Sequence, residues 1–158
     1  MLKIIMDILH FGRYLVKTVV TGILARTGLA ATFWLSGQSK VEGLQIDLHG
    51  DSPLQLDFPE VTTGAIDLFR EEYHVPLISP ELAATLAACA EHVFPALLIL
   101  GLATRFSALA LMVMTLIIQI FVYPDAWPVH ATWMAALLYL MTYGSGTLSL
   151  DYLMSRKR

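Results

Sequence analysis

The chain has 158 residues, of which 56% are hydrophobic and 15% are charged, and its mean hydropathy is +0.64. Soluble domains carry a smaller apolar share and about 25% charged residues, so the composition indicates a membrane protein of one domain. The single cysteine, Cys89, excludes an intramolecular disulfide and a two-cysteine redox shuttle. The net charge of −3, without a basic stripe, disfavours nucleic acid as a partner.

Residues 1–17 alternate apolar and basic positions at about helical spacing, which is typical of a helix that lies on a membrane surface. Four long apolar windows follow, and their polar residues are isolated rather than gathered on one face. Each window approaches the roughly 20 residues that a spanning helix needs. The sequence therefore predicts an all-α, four-transmembrane-helix bundle, a single membrane domain over 1–158 with spans at about 19–37, 81–102, 106–123 and 129–148.

Basic residues predict the orientation, because cytoplasmic loops carry an excess of Lys and Arg. The connection 38–80 holds eight acidic residues against Lys40 and Arg70, so we expect it outside the membrane. Both termini are expected in the cytoplasm, together with the turn between the second and third spans. The basic residues on that side are Lys3, Arg13, Lys17, Arg105, Arg156, Lys157 and Arg158.

The external loop 38–80 is too long to lack structure of its own. Two runs of alternating apolar and polar residues flank the sequence HGDSP, which predicts a short β-hairpin with one apolar face. Farther on, Thr62 and Thr63 are candidate N-caps of a short helix that ends at Pro76, and we expect its apolar side to rest on the membrane. The apolar positions are Leu44, Ile46, Leu48, Leu54, Leu56 and Phe58 in the hairpin, and Ile66, Phe69 and Tyr73 in the helix.

Two charged residues, Arg26 and Glu91, interrupt the apolar windows. A charge in hydrocarbon costs several kcal/mol unless it is paired or hydrated. Counted from the outer ends of their helices, both lie about 16 Å deep, and both fall on stripes of small residues, which mark helix contacts in membranes. We therefore expect the two side chains to pair.

The pair has two interpretations. It can be a structural ion pair that fixes the register of two helices, since a buried pair is weak support for anything more. Alternatively, it is the floor of a cavity in which Glu91 or His92 handles protons for a ligand. Pro95 favours a polar site, because it frees the carbonyl of Glu91 from its helical hydrogen bond.

Further polar residues cluster toward the outer face. Gln119 shares a helical stripe with Tyr123, and Trp127 and His130 begin the fourth span. The aromatic residues are interfacial anchors or ligand-binding groups. His92 lies deeper than His130, which disfavours a bis-histidine haem. No carboxylate–histidine spacing typical of zinc or di-iron helices occurs, and we expect no metal site.

Several motifs together identify a family. An arginine in the first window is followed by FWLSGQSKVEG, LFREEYHVPLISPELAA, EHVFPALLILGLATRFSALAL, and finally FVYPDAWPVH and GSGTLSLDYL. With these motifs the chain resembles the DoxX family of small four-helix bacterial inner-membrane proteins. The most specific part is E-H-x-x-P-x-L-L-x-L-G-L-x-T-R, from Glu91 to Arg105. The stretch 44–58 looks like an insertion relative to shorter members.

The resemblance implies a multi-pass subunit of a redox, oxidative-stress or metal-homeostasis system in the bacterial inner membrane. The family takes its name from a subunit of a thiosulfate:quinone oxidoreductase, so quinone is the implied ligand. No haem or flavin motif is visible, and electrons would have to come from a protein partner or from the quinone itself.

Three functions follow. The first is a quinone-linked oxidoreductase subunit, with Arg26, Glu91, His92 and His130 around the ligand. The second is a non-catalytic anchor or assembly subunit whose acidic external loop recruits a periplasmic partner. The third is a small carrier for a metal or organic solute, formed by a homo-oligomer or around a narrow groove.

Overall fold

A computed structural model describes residues 6–7, 9–10, 12, 15–46 and 54–156. The predicted interfacial helix falls mostly outside these residues. Four long helices make up most of the described chain. Wider, π-helical turns precede the first of them and extend the third. The elements in chain order are a π-helical lead Leu15–Val20, α1 Thr21–Gln38, β1 Val41–Gln45, β2 Gln55–Val61, α2 Thr63–Leu68 with a π-helical extension Phe69–Tyr73, α3 Pro80–Leu100, α4 Thr104–Ile117 with a π-helical extension Ile118–Val122, a 3-10 turn Pro124–Ala126, α5 Trp127–Tyr143 and α6 Leu150–Ser155.

Helix ends follow local capping rules. The Thr62 hydroxyl accepts from the amide of Ala65 at the start of α2, as the sequence predicts. At the start of α3, the Ser79 hydroxyl accepts from the amide of Leu82, and proline occupies the first helical position. Gly101 ends α3 with φ of +64°, a conformation that favours glycine.

The four long helices share one apolar core. Fully or nearly buried side chains from each helix meet there, while large apolar residues such as Leu24, Phe106 and Ile120 are mostly exposed on the outside. So much exposed apolar surface is typical of a protein surrounded by lipid. The core residues are Leu29, Ala30, Phe33, Leu98, Ala108, Leu111, Leu137 and Leu140.

Two of the described helices are long and apolar enough to cross a membrane, α3 and α4 with its extension, over Pro80–Leu100 and Thr104–Val122. The other two long helices are α1 with its π-helical lead, and α5. That these two also cross the membrane stays a prediction. We call the end of the bundle that carries the strands the loop end. The opposite end, where Gly101 and α6 lie, is the tail end.

Strands β1 and β2 form an antiparallel pair in which Val41 lies opposite Val61 and Leu44 opposite Leu56. The first strand begins three residues before its predicted start, and the second continues three residues past its predicted end. The predicted turn lies outside the described residues. A bulge occurs at Gly43, whose φ is +84°, and Phe58 on β2 is 87% exposed.

Helix α2 with its extension contacts the bundle. Its extension packs against α3, where Phe69 contacts the small side chains Ala83 and Ala84, and a contact of this helix with the membrane stays a prediction. Two alanines leave a shallow groove on α3 that accommodates an aromatic ring. Segment 63–73 is therefore fixed to the bundle by its own apolar residues.

The predicted Arg26–Glu91 pair is wrong. A Cβ atom on Gly37 would lie 2.8 Å from the His92 ring and 3.0 Å from Cβ of Glu91, so α1 ends level with the middle of α3. Arg26 instead lies beside Gly101 at the tail end. The two helices do not end at the same level. Helix α3 continues about ten residues beyond α1, which separates the two charges by roughly 16 Å of helix.

Candidate functional site

The partner of Glu91 is Lys40, in the turn that follows α1. Lys40 Nζ lies 2.7 Å from Glu91 Oε2, and the two side chains are only 9% and 4% exposed. Nζ also donates to the carbonyl and the hydroxyl of Ser36, at 3.0 and 2.9 Å. The Ser36 hydroxyl in turn donates to Glu91 Oε1 at 3.0 Å. All three protons of the ammonium group are thus used within the chain.

Close approach of two helices builds this ion pair. Ser36 and Lys40 are four residues apart, so their side chains lie on one face at the end of α1. Gly37 lets this face come against α3, because any side chain there would collide with His92. Glu91 is flanked along its helix by the buried residues Ala88 and Pro95, which leave room for the partner.

His92 has both ring nitrogens engaged. The Gln38 amide has a fixed orientation, since its oxygen accepts from the amide of Ile46 and its nitrogen donates to the carbonyl of Leu44. That nitrogen lies 2.8 Å from His92 Nε2, which must therefore accept, and Nδ1 donates to the Ala88 carbonyl at 2.7 Å. His92 on α3 is thus linked to β1 through the Gln38 side chain.

A cavity of about 400 Å³ lies beside the ion pair, between the four long helices and the α2 extension. Lys40 and Glu91 lie on its wall, and Tyr73, Tyr123 and His130 supply further polar groups. Most of the remaining surface is apolar. Its larger apolar side chains are Phe33, Phe69, Leu86, Val113, Met114, Ile117 and Trp133.

His130 is held in one tautomer by Gln119. The Gln119 amide nitrogen donates to the carbonyl of Pro124 at 2.7 Å, so its oxygen faces His130 Nδ1, also at 2.7 Å. Nδ1 must carry the ring proton in this arrangement, and Nε2 is left as an acceptor. The His130 ring also packs against Trp133, with 5.2 Å between ring centroids.

Two tyrosines meet at the loop end of the cavity. The hydroxyl of Tyr123 lies 3.3 Å from that of Tyr73 and 3.4 Å from a carboxylate oxygen of Glu72, and the two rings contact edge to face. Burial raises the pKa of Tyr73 far above its usual value, with a smaller contribution from the Tyr123 hydrogen bond. Tyr73 is therefore a neutral hydroxyl at any physiological pH.

The predicted site residues are only partly brought together. Glu91, Tyr123 and His130 line the cavity, and Gln119 acts on it through His130. Trp127 is exposed and does not line it. His92 and Arg26 do not line it either.

Sequence reasoning missed Lys40, Ser36 and Tyr73. Lys40 was treated as one of the external charges. The spacing of Ser36 and Lys40, with a basic residue just past the end of an apolar span, is a signal that could have indicated a cation able to reach back along the helix.

Arg26 makes its hydrogen bond at the tail end of the bundle. Its Nη2 donates to the carbonyl of Leu148 at 2.9 Å, and its Nε and Nη1 are buried without a partner among the described residues. Nearby, the Asp151 carboxylate accepts from the amides of Ala103 and Thr104 and so caps α4.

Metal binding finds no support in this geometry. Among the residues that the structure describes, no group of three or more His, Cys, Asp or Glu side chains is placed to hold a metal ion.

An apolar outer surface, two helices able to cross a bilayer and a charged pair buried among apolar helices define a small helical membrane protein. The sequence profile of the DoxX family matches residues 22–124. The chain belongs to the DoxX family, which confirms the resemblance. The match covers Arg26, Lys40 and Glu91 and ends before α5 with His130. No curated protein and no solved structure matches the chain significantly.

Proposed function

We propose that this protein binds a small lipophilic ligand of the quinone class in the cavity beside Lys40 and Glu91, as the membrane subunit of a bacterial redox or oxidative-stress system. The observation that carries the proposal is a buried ion pair on the wall of a largely apolar cavity. The chain has a single cysteine, so a protein partner or the ligand itself would supply the electrons.

The cavity has the properties of a ligand site. Its volume of about 400 Å³ falls in the usual range for small-molecule sites, which are mostly apolar with a few polar groups that fix orientation. Ionisable side chains inside membranes are costly to bury and are commonly functional. In this proposal the aromatic head group lies between the ion pair and His130, and the apolar tail passes along the wall that Val113 and Ile117 form.

The proposed membrane arrangement follows from the helices. The lead and α1, then α3, α4 with its extension, and α5 would each cross the inner membrane, with the loop end in the periplasm and both termini in the cytoplasm. Arg105 and Arg156 lie at the tail end, which agrees with the positive-inside rule. Labelling of single cysteines placed at Glu60 and Arg156 in a Cys89→Ser background, from either side of the membrane, tests this orientation.

The ligand-binding proposal is tested with purified protein in lipid nanodiscs. A benzoquinone with a ten-carbon tail is titrated while the fluorescence of Trp133 is followed, with Trp34 and Trp127 replaced by Phe to remove background. We expect saturable quenching. The double variant Lys40→Met/Glu91→Met should remain folded, because well-packed apolar residues can replace a buried ion pair. Its affinity for the reduced, hydroquinone form of the probe, measured by displacement of the quinone, should fall markedly.

The control replaces another ion pair in the same way. Arg70 and Glu81 are 2.7 Å apart at the surface of the external segment and do not line the cavity. Arg70→Met/Glu81→Met should bind the quinone like the parent protein. If neither the quinone nor its hydroquinone form binds the parent protein saturably, or if the Lys40/Glu91 variant binds the hydroquinone as tightly as the parent protein does, the proposal is contradicted.

The geometry gives less support to the two alternative functions, the anchor and the carrier. For an anchor that recruits a periplasmic partner through acidic residues, the external segment offers fewer free charges than its composition suggests, because Arg70 already pairs with Asp67 and Glu81. A carrier requires a path through the bundle, whereas Leu98 and Leu140 are fully buried in the core toward the tail end.

A further inference from the structure

The buried ion pair has free hydrogen-bond acceptors but no free donors. Lys40 donates its three ammonium protons to Ser36 and Glu91, and the Ser36 hydroxyl donates its proton to Glu91. No proton of this cluster is left for a ligand. Each carboxylate oxygen of Glu91 accepts one hydrogen bond and retains the capacity for a second. The ion pair can therefore accept a hydrogen bond from a ligand but cannot donate one.

His130 also offers the cavity a hydrogen-bond acceptor. Because Gln119 fixes the ring proton on Nδ1, the remaining nitrogen Nε2 is an acceptor, and no described residue donates to it. His130 and Glu91 lie on different helices that face the same cavity. Two elements of the bundle thus present acceptors to whatever occupies the space between them.

We propose that the cavity selects lipophiles that carry a hydroxyl group, such as a hydroquinone or an alkylphenol, over the corresponding carbonyl compounds. The inference rests on the proposed function and specifies the form of ligand that the site prefers. A hydroxyl can donate to Glu91 or to His130 Nε2. A quinone carbonyl has no proton to donate and would place its lone pairs against those of the Glu91 carboxylate.

The donors that remain in the wall do not reverse this preference. The Tyr73 hydroxyl and the Trp133 indole N–H can both donate, but both are neutral. Hydrogen bonds to an ionised carboxylate are roughly twice as strong as those between neutral groups. A site that accepts a hydrogen bond from a ligand hydroxyl discriminates against an analogue without that hydroxyl, because His130 Nε2 would then stay unpaired and the second acceptor position on the Glu91 oxygens would stay unused.

Ligands without redox chemistry give the sharpest test. The probes are 4-nonylphenol and its methyl ether, which have nearly the same shape but differ in the single proton, together with the ten-carbon benzoquinone. The dissociation constant of the quinone is measured by quenching of Trp133 in nanodiscs, and those of the phenol and its ether are measured by displacement of the quinone. We expect the phenol to bind the parent protein about tenfold more tightly than its methyl ether, and more tightly than the quinone.

Two variants assign the selectivity to the proposed acceptors. His130→Phe keeps the ring contact with Trp133 and removes Nε2, and Lys40→Met/Glu91→Met removes the carboxylate. In each, the preference for the phenol should shrink while the affinity for the methyl ether changes little. The surface variant Arg70→Met/Glu81→Met should keep the parent preference.

The outcomes separate the two proposals. If the methyl ether or the quinone binds the parent protein at least as tightly as the phenol, the selectivity is overturned and the ligand site stands. Selectivity that survives both acceptor variants also overturns it. If none of the three probes binds the parent protein, the proposed ligand site itself is contradicted.

Discussion

Arg26 in α1 donates a 2.9 Å hydrogen bond to the carbonyl of Leu148, which lies 122 residues later in the chain. Gly101 makes this possible, because a side chain there would collide with the guanidinium group and with Ser149. Asp151 provides a further favourable charge nearby. The first helix therefore anchors the segment that follows the last long helix.

Replacing this anchor should loosen the tail end alone. In Arg26→Met, segment 144–156 loses a hydrogen bond from a charged group, and we expect its protection against amide exchange to fall by about 1.5–3 kcal/mol. Hydrogen exchange read by mass spectrometry measures this, with Arg26→Lys as a partial rescue. Binding of the quinone probe should be unchanged. Unaltered exchange in segment 144–156 would show that Arg26 is not the anchor.

Gly37 is the contact that fixes α1 against α3. A methyl group there would lie 2.8 Å from the His92 ring, so Gly37→Ala should destabilise the bundle by about 1–3 kcal/mol. On the same helix, a methyl group at Gly28 would meet nothing within 4 Å, and Gly28→Ala should be neutral or stabilising by up to about 1 kcal/mol. Thermal unfolding in detergent compares the two variants, and equal melting temperatures would contradict this account of the contact.

The ion pair should show strong coupling in stability. Lys40→Met or Glu91→Met alone leaves one uncompensated buried charge, which costs about 3–5 kcal/mol, whereas the double variant is expected near the parent stability. Unfolding of the four proteins in a double-mutant cycle gives the interaction energy. If the double variant loses as much as the two single variants combined, the charges are not paired.

Periodicity and composition identified what depends on local sequence. The apolar windows correspond to the long helices, Thr62 caps α2 as expected, and the motifs around Glu91 and Arg105 identified the family. These features follow from residues within one or two helical turns of each other. The need for Glu91 to have a buried partner also followed from the cost of a solitary charge in lipid.

The identity of that partner depended on how far one helix slides along another. Composition does not encode this offset, which is set by a single close approach, Gly37 against His92 and Glu91. The offset brings Lys40 to Glu91 and carries Arg26 to the tail end. Tyr73 was missed for a similar reason, since its place in the cavity requires the α2 extension to pack on α3.

The tautomer of His130 should respond to Gln119. In the parent protein, the Gln119 oxygen accepts the Nδ1 proton at 2.7 Å, so ¹⁵N spectra of labelled histidine should show Nδ1 protonated and Nε2 bare. Gln119→Leu removes that acceptor, and the Nε2–H form should become populated. Since Nε2 would then donate rather than accept, the preference for 4-nonylphenol over its methyl ether should weaken in the same variant. A parent spectrum with Nε2 protonated would contradict both the hydrogen-bond assignment and the selectivity that depends on it.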